Sequence, residues 1–503
     1  MPLRRHATGL SLMIRSSSQC TIRVDVDDLF QYAMANPRPS GIQRVVYEIL
    51  SVLEERAATH PDTPRILFVR RGRNGEPFEE VSWSDITALF GTLTGIDPSS
   101  ERRGNTRRTG QGLLPQHRLS ESLRRSLITK FLSMPEDIGK PLLASGIAQI
   151  RTIRLLRQCF KIARNRQAIS HAEKSPEIFA NDTNEFRKET SSSEQKDIFL
   201  ILGAAWSDPL FNERLHQARK LYDSRPVLLI HDLIPFRRPE WCDPSLVRNF
   251  QHWLKTSLPH CAQLLAVSKA TARDVEQYAA EHGLKLSSAV QVMPMGSGFS
   301  DMLAESETIP MGLPAAGSYV LFVSTLEVRK NHAFLLRVWR RLLSDGNEAD
   351  IPTLVFAGRV GWLVRDLMQQ LDNSDWLNGK IRLISDPTDE ELKHLYQGSL
   401  FTIFPSLSEG WGLPVSESLM MGVPCLASHS TSVPEAGGQF ARYFDPENVT
   451  DAVEKIRDLL ADREQLSFWK NEIRTRFIPT SWTQSADMLL DACLAASHAE
   501  DRS

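Results

Sequence analysis

Glu409 and Glu417 stand with seven residues between them in the stretch EGWGLPVSE, together with Gly410, Gly412 and Pro414. Paired carboxylates can accept hydrogen bonds from a diol. Glycines let a backbone approach a ligand closely. Pro414 suits the first turn of a helix, where its missing N–H is not needed. That helix would turn free N–H groups and partial positive charge outward, as an anion requires. Glu417 is expected in its first turn, where a carboxylate complements the dipole. A diphosphate needs cations as well, and Arg329 and Lys330 supply them in TLEVRKNH. Arginine can grip phosphate as a fork, and lysine acts as a point charge. His231 closes the run PVLLIH with Asp232 beside it, and Gly41 opens SGIQRVV. Taken singly, each acid reads as a solvated side chain, the basic pair as a surface pair and the histidine as structural. Their common placement at strand ends turns the reading toward a binding site.

The elements that must hold these residues follow from periodicity. FTIFPS (401–406) precedes Glu409 and reads as a strand, and Gly422 can end the helix that begins near Pro414. Further strand-like runs are YVLFVS (319–324), TLVFAG (353–358), IRLIS (381–385) and PCLAS (424–428), with helical patterns between them. Alternation at this spacing predicts βαβ units and a parallel sheet. In the first half, TIRVDVDDLF, RILFVR, DIFLILGAAW, PVLLIHDLIPF and AQLLAVSK read as strands; Ser40 can cap a helix over SGIQRVVYEILSVLEE, and Ser268 or its neighbours another. The Gly-, Pro- and Ser-rich stretch 296–318 marks a boundary between halves. The reading is therefore an α/β protein of two doubly wound parallel sheets, with ligands bound outside the carboxyl ends of the strands.

The bulk numbers agree. A chain of 503 residues is too long for one ordinary core, and 41% hydrophobic with 24% charged residues is a globular composition. The net charge of -2 gives no overall attraction to nucleic acid. No run of 18 apolar residues is present, so no spanning helix is expected. Residues 1–20 read as a disordered tail rather than a leader peptide. Six scattered cysteines without a CxxC pair speak against a disulfide framework or zinc site and for a reducing, cytoplasmic compartment. Residues 101–170 hold 15 Lys and Arg against 4 Asp and Glu. The region of about 97–196 is read as a basic insertion in the first domain. Within it, IRTIRLLRQCFKIARNR (150–166) spaces its cations and apolar residues at helical intervals, which suits either packing on the first domain or peripheral contact with an anionic membrane.

PSLSEGWGLPVSESLMMGVPCLAS resembles the donor-site signature of family 4 glycosyltransferases, whose two glutamates are also separated by seven residues. TLEVRKN is similar to the family's donor-phosphate loop. LVFAGRVGW, TDEELKHLY and VPEAGGQFARYFDP continue the likeness, as do SGIQRVV, IHDLIP and AVSKATARD upstream. It spans about 20–96 and 197–490, leaving the insertion outside. The chain departs from the family at Ser324, often glycine there, and near Thr325, where a basic residue is common. That would leave phosphate binding more heavily to Arg329 and Lys330.

The resemblance implies the GT-B fold, with two Rossmann-like domains at 21–296 and 297–465 and closing helices at 466–503 that return to the first. Trp482 would anchor that return. It also implies a retaining, metal-independent transferase that moves a sugar from a nucleoside diphosphate sugar to a saccharide or lipid-linked acceptor in polysaccharide or glycolipid synthesis, with GDP-mannose as the first candidate donor. No cofactor other than the donor is expected. Glu417 would take the ribose hydroxyls, and Glu409 those of the sugar. Backbone N–H groups after Gly410, at Trp411, Gly412 and Leu413, would meet sugar and phosphate. Arg329 and Lys330 would stabilise the leaving diphosphate, and His231 would contact the donor sugar. Gly41 would approach donor or acceptor. Asp25 and Asp27 form a DxD pair of a kind that binds metal in another glycosyltransferase fold; in this one no metal is implied. A nucleotide-sugar epimerase of the same fold and a non-catalytic nucleotide-sugar binding module remain the rival readings.

Overall fold

A computed structural model describes residues 20–36, 38–72, 76–94, 195–298, 310 and 312–499. The expected tail apart from Cys20, the insertion apart from its last two residues, and the basic helix at 150–166 lie outside the described residues.

The first lobe is a sheet of β1 (Thr21–Asp25), β2 (Arg65–Arg71), β3 (Phe78–Val81), β4 (Ile198–Ile201), β5 (Arg225–Ile230), β6 (Gln263–Ala266) and β7 (Gln291–Val292). Its spatial order is β3-β2-β1-β4-β5-β6-β7. Helices α1 (Asp27–Ala35), α2 (Gly41–Thr59), α3 (Trp83–Thr94), α4 (Phe211–Tyr222), α5 (Pro244–Ser257) and α6 (Lys269–Glu281) surround it. The four apolar residues of β4 are all buried because the sheet has a core on each face. Ile198 and Leu200 join Ile22 and Val24 on one side. Phe199 and Ile201 join Phe211 and Leu215 on the other. One strand departs from the expected parallel pattern: β3 pairs antiparallel with β2. Its sequence, FEEV, alternates around two glutamates, one of which pairs with Arg70 at 2.5 Å across the ladder. Charge on such an edge strand is expected, and it hides the strand from an apolar reading.

The second lobe holds β8 (Tyr319–Val323), β9 (Thr353–Ala357), β10 (Ile381–Ile384), β11 (Thr402–Phe404), β12 (Cys425–Ser428) and β13 (Arg442–Phe444), all parallel, in the order β10-β9-β8-β11-β12-β13. Its longer helices are α7 (His332–Asp345), α8 (Arg365–Asn373), α9 (Asp389–Gly398), α10 (Leu413–Met420), α11 (Val449–Ala461) and α12 (Arg463–Arg476). Strand order reverses between β8 and β11. The loops after those two strands carry Arg329 with Lys330, and Glu409 with Gly410. A reversal point at the carboxyl ends is where an open parallel sheet leaves room for a ligand.

The chain ends its described part with α13 (Trp482–His498). Ala486, Leu489, Ala492, Cys493 and Ala496 of this helix are buried in the first-lobe core with Val46, Leu50 and Leu53 of α2. Two segments therefore cross between the lobes, and they touch: the Ser297 N–H donates to the Thr480 carbonyl at 2.9 Å. Gly296 sits so tightly against Trp482 that a Cβ would lie 2.7 Å from its Cα. Among the described residues, no helix is long and apolar enough to cross a membrane, and Cys20, Cys242, Cys261, Cys425 and Cys493 are free thiols.

Candidate functional site

A cavity of about 480 Å³ opens between the carboxyl ends of the two sheets. Each candidate residue from the sequence lines it: Gly41, His231, Arg329, Lys330, Glu409, Gly410, Trp411, Gly412, Leu413 and Glu417.

The loop after β11 enters α10 through Gly412, whose φ of 115° lies in the left-handed region that glycine tolerates. Gly410 is required for a different reason. A Cβ there would come within 1.9 Å of the His231 carbonyl oxygen, so the close approach is to the end of β5 rather than to open space. Thr431 and Ser432 strap the same loop. The Glu409 N–H donates to Thr431 Oγ1 at 2.9 Å, and the Ser432 hydroxyl donates to the Glu409 and Trp411 carbonyls at 2.8 and 3.0 Å. Trp411 packs against the cores of both lobes and Leu413 against that of the first, and both residues line the cavity. Leu413 is the first residue of α10, so its N–H has no partner within the helix.

Glu409 is the centre of an ion cluster. Its Oε2 accepts from Arg329 Nη1 at 2.8 Å, and its Oε1 from Lys330 Nζ at 2.5 Å and the Ser406 hydroxyl at 2.6 Å. Arg329 also reaches the Ser408 carbonyl at 2.9 Å, and its Nε lies 2.8 Å from Glu327. Burial alone would raise the Glu409 pKa, but the charges of Arg329 and Lys330 prevail and bring it down to about 2. Burial and the neighbouring Arg329 draw the Lys330 ammonium below its usual value, while Glu409 opposes them. Glu327, 2% exposed, is raised by burial. The cluster is thus an anchored carboxylate with two cations beside it, in the loop that leads into the N-terminus of α10.

Glu417 lines the same cavity. It is the fifth residue of α10 rather than part of its first turn, because the helix already begins at Leu413. The residue is 5% exposed. Tyr396 of α9 donates to its Oε2 at 2.8 Å, and Arg44 Nη1 of α2 stands 3.5 Å from its Oε1. Arg44 also pairs with Asp389. Burial raises the Glu417 pKa, with Arg44 and Tyr396 acting against it.

His231 follows β5 and is 7% exposed. Its Nε2 is 2.8 Å from the Leu202 carbonyl, which can only accept, so Nε2 carries the proton and Nδ1 is left as the acceptor. Burial lowers its pKa and keeps the ring neutral. Gly41 is the first residue of α2, and nothing lies within 4 Å of where its Cβ would be. Ser40 stands in the N-cap position, but its hydroxyl bonds the Gln43 side chain and no backbone N–H. Ser268 does cap α6, accepting from the Thr271 N–H at 3.0 Å. Asp25 is buried against Arg214 at 2.9 Å, with Asp27 at 3.9 Å, outside the main cavity.

The sequence reading missed Arg44, Glu327, Asp389 and Tyr396. Asp389 and Tyr396 were visible in TDEELKHLY as a seven-residue spacing on one helix face. Nothing in SGIQRVV alone aims Arg44 across a cleft.

Comparison with known proteins adds to this geometry. Residues 310–476 match the family model of glycosyl transferases group 1. The second lobe thus carries a glycosyl transferases group 1 domain, and it is the lobe that supplies the ion cluster and Glu417. The serotype-specific mannosyltransferase WbdA of Escherichia coli is 30% identical over 272 residues, 52% of this chain and 32% of its own length. The O-antigen chain mannosyltransferase B of Escherichia coli is 30% identical over 237 residues, 46% of this chain and 59% of its own. The chain therefore spans about a third to three fifths of the length of these relatives. Among solved structures, Anabaena Alr3699/HepE in complex with UDP and glucose aligns over 94% of this chain and 98% of its own, with a TM-score of 0.51 at 12% identity. The architecture of this chain is that of the GT-B fold.

Proposed function

We propose that this protein is a hexosyltransferase that moves a sugar, mannose in the first instance, from a nucleoside diphosphate sugar to a hydroxyl of a saccharide or lipid-linked acceptor in polysaccharide synthesis. The observation that carries the reading is one cavity lined both by an ion cluster and by a second, buried carboxylate, Glu417. The mannosyltransferase relatives support the choice of mannose, and GDP-mannose is the first donor to try.

In this reading Glu417 takes the ribose hydroxyls. The diphosphate lies against the N-terminus of α10 with Arg329 and Lys330, and Glu409 and His231 meet the sugar. The bond between the anomeric carbon and the phosphate oxygen breaks, and its electron pair stays on the diphosphate. The acceptor oxygen bonds the same carbon from the same face, and its proton passes to the departing phosphate. The configuration is retained without a covalent enzyme intermediate. Charge grows on the diphosphate during the step, and cations already fixed beside it lower the barrier. Glu409 holds both cations in place until substrate arrives. No metal takes part in this scheme.

The test is incubation with GDP-mannose and a mannose-terminated oligosaccharide, followed by NMR of the products. A new α-linked mannoside with release of GDP supports the proposal. An altered free sugar nucleotide would show epimerisation, and binding without turnover across GDP-, UDP- and dTDP-sugars would show a binding module. Activity abolished by EDTA and restored by a divalent cation would overturn the metal-free scheme.

A further inference from the structure

Arg44 is a cation of the first lobe placed in the diol site of the second. It sits in the first turn of α2, with its side chain 17% exposed. The guanidinium reaches Asp389 at the start of α9 and stands 3.5 Å from Oε1 of Glu417 in α10. Tyr396, also on α9, donates to the other oxygen of Glu417 at 2.8 Å. Glu48, one turn along α2, is a further charged group close to Arg44. Among the described residues, Glu417 is therefore faced by one cation, one carboxylate and one phenol, and of these the cation comes from the opposite lobe.

A buried carboxylate without a cation tends to take up a proton. A protonated carboxyl is a poorer acceptor for two hydroxyl groups, because charge-assisted hydrogen bonds are the stronger ones. Asp389 beside Glu417 adds to that tendency, since two neighbouring carboxylates resist joint ionisation. One guanidinium paired with both opposes each tendency. Its fork geometry also fixes where the Glu417 oxygens point.

We propose that Arg44 is a positioning residue for the donor's ribose: it holds Glu417 ionised and aimed, so that the diol site is complete only with the first lobe seated against it. This rests on the reading of Glu417 as the ribose acceptor. The nucleotide then senses the first lobe through a single side chain that it need not touch.

The test is calorimetric titration with GDP and with UDP between pH 6 and 9, on the wild type, Arg44→Met, Arg44→Lys, Glu417→Gln and the double variant Arg44→Met/Glu417→Gln. Arg44→Met is expected to bind about tenfold more weakly at pH 6, the loss typical of one charged hydrogen bond. That deficit should shrink toward pH 9, as Glu417 ionises without its partner. Arg44→Lys should recover most of the affinity, and the double variant should be no weaker than Glu417→Gln alone. Wild-type affinity in Arg44→Met at every pH overturns the proposal. So does a deficit that is the same at every pH, or a lysine variant no better than methionine, because a merely structural contact would behave that way. If Glu417→Gln itself binds normally, the ribose reading of Glu417 falls and takes this one with it. If Glu417→Gln is weak while Arg44→Met is normal, only the role of Arg44 falls.

Discussion

Gly41 is a residue whose missing side chain the protein's own packing does not require. Its Cβ position is empty to 4 Å, and the emptiness belongs to the cavity. Alanine at a helical position is favoured over glycine by about 0.5–1 kcal/mol. Gly41→Ala should therefore melt at the same temperature as the wild type or slightly higher, while its KM for the donor or acceptor rises. Unchanged kinetics would show that no substrate passes over this residue. Glu409 makes a prediction of the opposite kind. Its pKa falls from an ordinary 4.5 to about 2 in the fold, a shift equivalent to about 3 kcal/mol. The depressed value means that this contribution is present above pH 4.5 and is lost as pH falls toward 2. Glu417, raised by burial, acts with the reverse sign and loses its contribution as pH rises. Glu409→Gln should thus differ from the wild type in unfolding free energy by an amount that shrinks by about 3 kcal/mol between pH 6 and 2. A difference that does not vary with pH would show that Glu409 is not ionised beside its two cations.

At the scale of elements, the loop from β11 to α10 depends on contact with the end of β5. Gly410→Ala puts a methyl group where the His231 carbonyl oxygen stands, so the loop must retreat. A displacement of about 1 Å in a positioned group can cost about a hundredfold in rate. Turnover in Gly410→Ala is expected to fall by that order with GDP affinity less affected, as compared by stopped assay and calorimetry; wild-type turnover would show that the loop can yield. The strand–loop–helix arrangement around this glycine was legible in the sequence because FTIF, the glycines and Pro414 each carry a local backbone preference. Four second-lobe strands, β8, β9, β11 and β12, were legible for the same reason, as apolar runs buried on both faces, whereas β13, RYF, was not. The antiparallel β3 was not, since two of its four residues are glutamates. Nor was the burial of Glu417, which depends on Tyr396 of α9 and Arg44 of α2 closing over it. Arg44 escaped because it matters through residues distant in sequence, and a local pattern carries no trace of that. The reason for Gly410 was legible only in part. The need for close approach showed, but the partner, a carbonyl of the other lobe, did not.

Across the whole molecule, Glu435 joins the lobes by capping a helix that is not its own. Its carboxylate accepts from the N–H groups of Lys269 and Ala270, at 2.7 and 2.9 Å, at the start of α6. A capping interaction of this kind contributes about 0.5–2 kcal/mol, enough to shift an open–closed equilibrium about two- to thirtyfold. Glu435→Ala should raise the radius of gyration in solution scattering and weaken donor binding, and saturating GDP-mannose should reverse the expansion. Scattering identical to the wild type would show that the cap does not hold the cleft. The return of α13 to the first lobe has a consequence for how the chain is made. The core around β1 and α2 includes Leu489, Ala492 and Cys493, which leave the ribosome more than four hundred residues after Val24. The second lobe ends its own core with Ile473 of α12. During synthesis the half made later can therefore close its core first, while the half made earlier waits, with apolar surface uncovered, for a helix made after the whole second lobe.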